Sequence, residues 1–176
     1  MKTFLAVLAA FVVHIASAQT KEIPDSSKFN KRVFQNMQSF TFDGQTPVGK
    51  GWDLLEKQFA DNQFVAWGEY HNSPLLSQLS AYALAAAAKY GFKNWCVEVS
   101  PFAASELTGI SRSANTFDSL KAISKQHPDY ATFPFFSSSQ DAEMLRAAAK
   151  YKYNIWGIDQ EFQMAFPYCI TKVYNS

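Results

Sequence analysis

Residues Ser73 to Ser100, SPLLSQLSAYALAAAAKYGFKNWCVEVS, predict a helix followed by a strand, and this order decides the fold class. Ser73 is a favourable N-cap, and Pro74 suits the first helical position. Apolar residues then recur at helical spacing as far as Tyr90, and Gly91 is placed to end the helix. The β-forming residues of NWCVEVS come next, which indicates a buried strand.

Similar segments lie on both sides of this stretch. QFVAW, residues 63–67, is short, apolar and bounded by turn residues, so it predicts an earlier buried strand. Further on, SQDAEMLRAAAKY predicts a helix in which Ser138 and Asp141 have capping-box spacing, and NIWGID predicts a third strand. Shorter helices are predicted at GWDLLEKQFADN, PFAASEL and FDSLKAISKQ. We therefore predict an α/β fold of repeated βα units, with a mostly parallel, incomplete sheet flanked by helices.

An internal echo supports the repeated units. AAAAKYGFKNWCVE and RAAAKYKYNIWGID share one order of residue types, from an alanine-rich helix end through Lys-Tyr and Asn to Trp and an acidic residue. Common composition is the alternative explanation of this likeness. If the units do repeat, right-handed crossovers place all the strand ends on one edge of the sheet.

The N-terminal residues 1–18 have the features of a cleavable secretory signal: one lysine, an apolar run and then Ala-Ser-Ala. We expect cleavage after Ala18 and a secreted or periplasmic protein. The apolar run is shorter than the roughly 20 residues that a membrane span needs, so no stable span is expected after cleavage. Residues 19–50 are expected to form an arm or linker, which leaves 51–176 as a partial α/β domain.

Charge and cysteine content narrow the classes of partner. The chain has 16 basic and 15 acidic side chains, and Lys2 leaves with the signal, so the remaining charges balance. A balanced total gives no argument for a nucleic-acid partner or for an anionic membrane. Export permits disulfides, and Cys96 and Cys169 are the two cysteines. Cys96 lies in an apolar run and is expected to be a buried small hydrophobe, with a Cys96–Cys169 bridge as the less favoured alternative.

Acidic residues follow each of the three predicted strands. Glu69 and His71 follow the first, Glu98 follows the second, and Asp159 and Glu161 follow the third. Ligands of parallel α/β sheets bind outside the carboxyl ends of the strands, so these side chains are candidates for one site. His71 suits a general base, and an imidazole with carboxylates also suits a divalent metal ion. For Glu161, helix capping or solvent exposure is about as good an explanation as function.

Two further features bear on the site and on the surface. FPFF, residues 133–136, interrupts the polar sequence as a loop of exposed phenylalanines, which makes it a candidate wall for a substrate. After the third strand, QEFQMAFPYCITKVYNS carries much apolar surface, has no clear helix start and contains Pro167. Such a tail predicts an exposed patch or an open sheet edge, and hence marginal stability or self-association.

The motifs WGEYHNSP, CVEVSPF and WGIDQEF resemble the erythromycin-esterase-like, ChaN-like and Tiki/TraB superfamily. The resemblance covers about residues 64–162 and implies an α/β fold. It also implies an active-site histidine after the first strand and a glutamate after the second, which are His71 and Glu98 here, with Glu69 in the same loop. Members of the superfamily usually continue with more strands and a second histidine motif, which this chain lacks.

The resemblance leaves the activity open between branches. Its esterase branch implies a metal-independent hydrolase, its Tiki branch a metal-dependent protease, and its ChaN branch a protein that binds haem or iron. We therefore expect an exported hydrolase acting on a small molecule or peptide. An uptake protein for haem or iron, or an inactive fragment of either kind, is the alternative.

Overall fold

The computed structural model describes residues 26–43, 46–66, 68, 70–71, 73–127 and 132–175. By internal contacts the chain divides into two compact units, Met1–Gln38 and Ser39–Ser176. In the first unit the described residues form a helix, α1 (Ser26–Asn36), where the sequence analysis expects an arm without regular structure. Residues 1–25, including the predicted signal, lie outside the described part of the chain.

The second unit is an α/β arrangement that is mostly helical. Its elements in chain order are β1 (Thr41–Phe42), β2 (Pro47–Val48), α2 (Lys50–Asp61), α3 (Pro74–Lys89), β3 (Asn94–Val97), α4 (Pro101–Ser111), α5 (Thr116–Gln126), α6 (Ser139–Lys150), β4 (Asn154–Gly157), a 3-10 turn (Gln163–Ala165) and α7 (Phe166–Tyr174).

Local capping chemistry fixes the helix ends where the sequence predicts them. The Ser73 hydroxyl accepts a hydrogen bond from the Leu76 amide at the start of α3, and Gly91 beyond its end has φ +89°. Ser138 and Asp141 form the predicted capping box at the start of α6. Since each cap satisfies backbone groups that the helix leaves unpaired, the local sequence is enough to place these boundaries.

The parallel sheet is smaller than the sequence predicts. β3 pairs in parallel with β4, and β1 pairs antiparallel with β2. The expected strand at 63–67 is wrong for its described residues, since residues 63–66 have no strand structure and Phe64 is 90% exposed. A short apolar run becomes a strand only if a neighbouring backbone pairs with it, and composition does not reveal that partner. Among the described residues, parallel pairing joins two strands rather than three.

The echo in the sequence corresponds to the paired strands. Asn94 lies opposite Asn154 and Cys96 lies opposite Trp156 in the ladder. The Asn94 side-chain oxygen also accepts hydrogen bonds from the side-chain amide of Asn154 at 3.3 Å and from the Trp156 indole at 2.9 Å. The two similar segments are therefore adjacent in space and in register.

One face of the sheet is packed and the other is exposed. Val97 and Ile155 are buried, whereas Cys96 and Trp156 are exposed, as alternation along the strands requires. The expectation that Cys96 is buried is therefore wrong, because its apolar neighbours lie on the opposite face. Both cysteines are free thiols, so the alternative of a Cys96–Cys169 bridge is not observed either.

The main core lies between the packed face of the sheet and helices α4, α5 and α6. Leu107, Leu120 and Leu145 are almost fully buried there. A smaller cluster joins α2 to α3 through Trp52, Phe59 and three alanines of α3. Small alanine side chains allow α3 to approach its neighbours closely on more than one side.

The C-terminal tail is helical, which corrects the expectation that it has no helix start. Pro167 occupies the first turn of α7, where a missing amide donor costs nothing. Tyr168 is buried, but Ile170, Val173 and Tyr174 are exposed, which gives the expected apolar patch. Self-association through this patch stays a prediction. Within the described residues, every helix is too short or too polar to cross a bilayer.

Candidate functional site

His71 and Glu98 form the pair at the centre of the candidate site. His71 lies in the loop just before α3, and Glu98 follows the last residue of β3. The Nε2 atom of His71 is 3.5 Å from Oε2 of Glu98. About half of each side chain is exposed, so both groups are accessible to a ligand from solution. The sequence analysis expects both residues at one site, and they lie close together although 27 positions separate them in the sequence.

An aromatic ring lies against the imidazole. The centroid of Phe135 is 3.9 Å from that of His71, and the planes are tilted by 34°. Phe162, which follows β4, contacts Phe135 edge to face at 5.5 Å. The imidazole of His71 therefore rests on an aromatic wall, which consists of Phe135 and Phe162.

The backbone that presents Phe135 is strained. Its φ of +69° is in the left-handed region, which costs a bulky residue about 1–3 kcal/mol. Its neighbours Phe133 and Phe136 are buried in the core, and they anchor the turn on both sides. The prediction of an exposed FPFF loop is thus wrong for these two phenylalanines, and Phe135 is the one that reaches the site.

Asp141 ties this turn to the helix that follows His71. Its Oδ2 atom accepts hydrogen bonds from the amides of Ser137 at 2.9 Å and Ser138 at 2.7 Å. Its Oδ1 atom accepts one from the Ser77 hydroxyl of α3 at 2.6 Å. The side chain is only 6% exposed, so these bonds compensate the burial of its carboxylate. Asp141 therefore holds the Phe135 turn and the start of α3 in a fixed relation.

Glu161 belongs to a second polar group beyond the ends of β3 and β4. Its Oε2 atom accepts a hydrogen bond from the Ser100 hydroxyl, which also caps α4 by accepting from the Ala103 amide. Burial raises the pKa of the nearby Cys169 thiol to about 11, and the charge of Glu161 and a hydrogen bond to it add to the rise. Its Oε1 atom is buried and has no hydrogen-bond partner among the described residues.

Glu106 lies in a third polar group, beside a shallow depression of about 380 Å³ between α4, α5 and α7. The carboxylate accepts a hydrogen bond from the Tyr168 phenol and pairs with Lys172 at 3.0 Å. Burial alone would raise the pKa of Glu106, but these two contacts outweigh it, and the pKa lies below its usual value. The group attaches α7 to α4.

The five predicted site residues are thus only partly brought together. Glu69 lies outside the described residues. Asp159 is half-buried at the end of β4, where its side chain accepts a hydrogen bond from the Gln160 amide at 2.7 Å. Across the described ranges, no three His, Cys, Asp or Glu side chains are placed to hold a metal ion. The described residues therefore provide no set of ligands for the predicted metal ion. Because Glu69 lies outside the described residues, metal binding stays a prediction.

The haem alternative gains no geometric support. An axial histidine needs an apolar slot beside its ring, and the depression at Glu106, which is lined by Ile110, Ile123 and several polar or charged residues, does not include His71. The binding of haem therefore stays an untested expectation of the resemblance.

Sequence reasoning missed Asp141 as part of the site and gave Phe135 no particular role. The capping-box spacing identifies Asp141 only as a helix cap, because its bond to Ser77 spans 64 positions of the chain. The cluster FPFF was a usable signal for Phe135, but the pattern does not say which ring leaves the core.

Comparison with known proteins leaves the resemblance as a hypothesis. The chain matches no protein-family model, no curated protein and no solved structure.

Proposed function

We propose that the protein is an exported hydrolase in which His71 is the general base and Glu98 orients and charge-stabilises it. The contact of the His71 ring with both Glu98 and Phe135 is the observation that carries this proposal. The signal pattern of residues 1–18 supports export, and the resemblance of the three motifs supports hydrolysis.

The pair supplies the proton transfers that ester or amide hydrolysis needs. The neutral imidazole removes a proton from water while the water oxygen attacks the carbonyl carbon. Glu98 stabilises the imidazolium that forms, and His71 then returns the proton to the leaving oxygen or nitrogen as the bond to carbon breaks. A base and its orienting carboxylate are the same combination that activates nucleophiles in unrelated hydrolases.

The surroundings of the pair favour this role over that of a surface ion pair. Phe135 covers one face of the imidazole, which limits the rotation of the ring. The strain at Phe135 is maintained by the buried rings on both sides of it. Strained backbone that is supported in this way is characteristic of functional sites. Glu69 is two residues from His71 and is proposed to stabilise charge in the same loop.

The test is hydrolysis of a panel of carboxylic esters, lactones and peptides by the wild type and His71→Gln. Loss of a general base lowers kcat/KM by about 10²–10⁴. Glu98→Gln keeps the size of the side chain but removes its charge. The expected loss there is about two- to fivefold, because exposed ion pairs contribute less than about 1 kcal/mol.

His127→Gln is the matched control, since His127 packs edge to face on Tyr168 at 5.6 Å, away from the pair. Its activity is expected to equal that of the wild type. Equal hydrolysis by His71→Gln and the wild type would refute the role of His71. Metal analysis of the purified protein, with activity measured before and after a chelator, separates the metal-independent form of the proposal from a metal-dependent one.

A further inference from the structure

Helix α1 separates its cations from its exposed apolar side chains. At 100° per residue, Lys28, Lys31 and Arg32 fall within an arc of about 100°. Val33, Phe34 and Met37, the last one position beyond the helix, fall within an equal arc on the opposite side, which also contains Asn30. The helix is therefore amphipathic, with a cationic face and an apolar face.

None of the described side chains from Lys28 to Gln38 is buried. Val33, Phe34 and Met37 are 42%, 72% and 63% exposed. The helices of the second unit bury at least one side chain each, as Trp52 and Phe59 show for α2. An isolated helix of 11 residues is marginal in water, so its apolar face requires an occupant to stabilise it.

The positive charge of α1 favours an anionic partner for this helix. Between Asp25 and Asp43 the sequence contains no acidic residue, so the three cations of α1 have no acid within this stretch to neutralise them. The balanced charge of the whole chain conceals this local excess. A nucleic acid offers phosphates but no apolar layer for Phe34 and Met37, whereas an anionic lipid surface offers both.

We propose that α1 binds the surface of an anionic lipid bilayer, with Val33, Phe34 and Met37 in the acyl boundary and the cations at the headgroups. The helix lies in the plane of the interface and does not span the membrane. This inference is independent of the hydrolase proposal, because it uses no residue of the candidate site.

The experiment is flotation of the full chain with two kinds of vesicle. One is phosphatidylcholine alone and the other is phosphatidylcholine mixed with phosphatidylglycerol. The variant Lys28→Gln/Lys31→Gln/Arg32→Gln removes the cationic face, and Lys121→Gln/Lys125→Gln/Lys150→Gln is the control with the same change of charge at exposed lysines of α5 and α6. The apolar run of residues 1–18 is common to all variants, so its contribution cancels in the comparison.

The wild type is expected to prefer the anionic vesicles and to dissociate as salt is raised. The α1 triple variant is expected to bind them about a hundredfold more weakly than the control variant. Phe34→Ser is also expected to weaken binding, because the apolar face loses its largest described ring. As no described side chain of α1 is buried, these variants should keep the unfolding transition of the wild type, which circular dichroism checks.

Any one of four results would overturn the proposal. The first is equal binding of the wild type to both kinds of vesicle. The second is equal binding of the α1 and control triple variants to anionic vesicles, and the third is full binding by Phe34→Ser. If the vesicles are not bound but sedimentation shows an oligomer that Phe34→Ser dissociates, the occupant is a second copy of the chain and the lipid proposal is wrong.

Discussion

Replacement of Gly157 by alanine tests the contact between the end of β4 and the start of α4. A Cβ atom at Gly157 would lie 2.1 Å from the backbone oxygen of Ser100, 2.3 Å from its carbonyl carbon and 2.6 Å from the oxygen of Val99. Ordinary van der Waals contact begins at 3.4 Å. The obstructing atoms are backbone, so no side chain can rotate away. The strand end and the helix start must instead separate by about 1.3 Å, the difference between 3.4 and 2.1 Å.

The energetic cost has two parts. Forcing an extra carbon into a packed contact costs about 1–3 kcal/mol. The shift also disturbs Ser100, whose hydroxyl caps α4 and donates to Glu161, and the loss of a cap and a hydrogen bond costs about 1 kcal/mol each. We expect Gly157→Ala to lower the free energy of unfolding by about 3–5 kcal/mol, out of the 5–15 kcal/mol typical of a domain. The melting temperature then falls by about 6–20 °C.

Gly109→Ala is the matched control because it makes the same chemical change where there is space. Nothing lies within 4 Å of a Cβ built on Gly109, which is in α4. Alanine is the better helix former, so this variant should be about 0.5–1 kcal/mol more stable than the wild type. Urea denaturation followed by circular dichroism measures both changes. If Gly157→Ala is as stable as the wild type, the close approach of β4 to Ser100 is wrong.

Three further predictions follow from burial and electrostatics. Iodoacetamide should label the exposed Cys96 before Cys169, because burial raises the pKa of the Cys169 thiol to about 11. Mass spectrometry of timed samples measures both rates of labelling, and equal rates would contradict the prediction. The pKa of Glu106 is lowered in the fold, so its carboxylate stabilises the folded state above about pH 4.5, and this stabilisation is lost as the pH falls further. Glu106→Gln should abolish this part of the acid dependence of the melting temperature. An unchanged profile of melting temperature against pH would contradict the prediction. Leu145→Ala should lower the free energy of unfolding, measured by urea denaturation, by about 2–5 kcal/mol. Leu54→Ala should lower it far less, because Leu54 is 52% exposed. Similar losses for the two variants would contradict the described core.

The sequence determined the local features of this fold. Capping residues such as Ser73, Ser138 and Asp141 act on backbone groups within four positions, so their spacing alone places the helix starts. The echo of Asn94 and Asn154 lies in two predicted strands that the structure confirms, and only the structure shows that these two strands pair. The predicted strand ends also brought His71 and Glu98 into one prediction, although residues 63–66 before His71 have no strand structure.

Tertiary structure alone decided which apolar segments pair and which remain exposed. QFVAW and NWCVEVS have similar compositions, yet only the second is a strand among the described residues, because strand formation depends on a partner backbone from a distant segment. Contacts between distant segments also determine that Cys96 is exposed and that Phe135 lies against His71. The sequence shows how apolar each residue is. Whether that residue lies on a buried or an exposed face depends on elements dozens of positions away, which come together only when the chain folds.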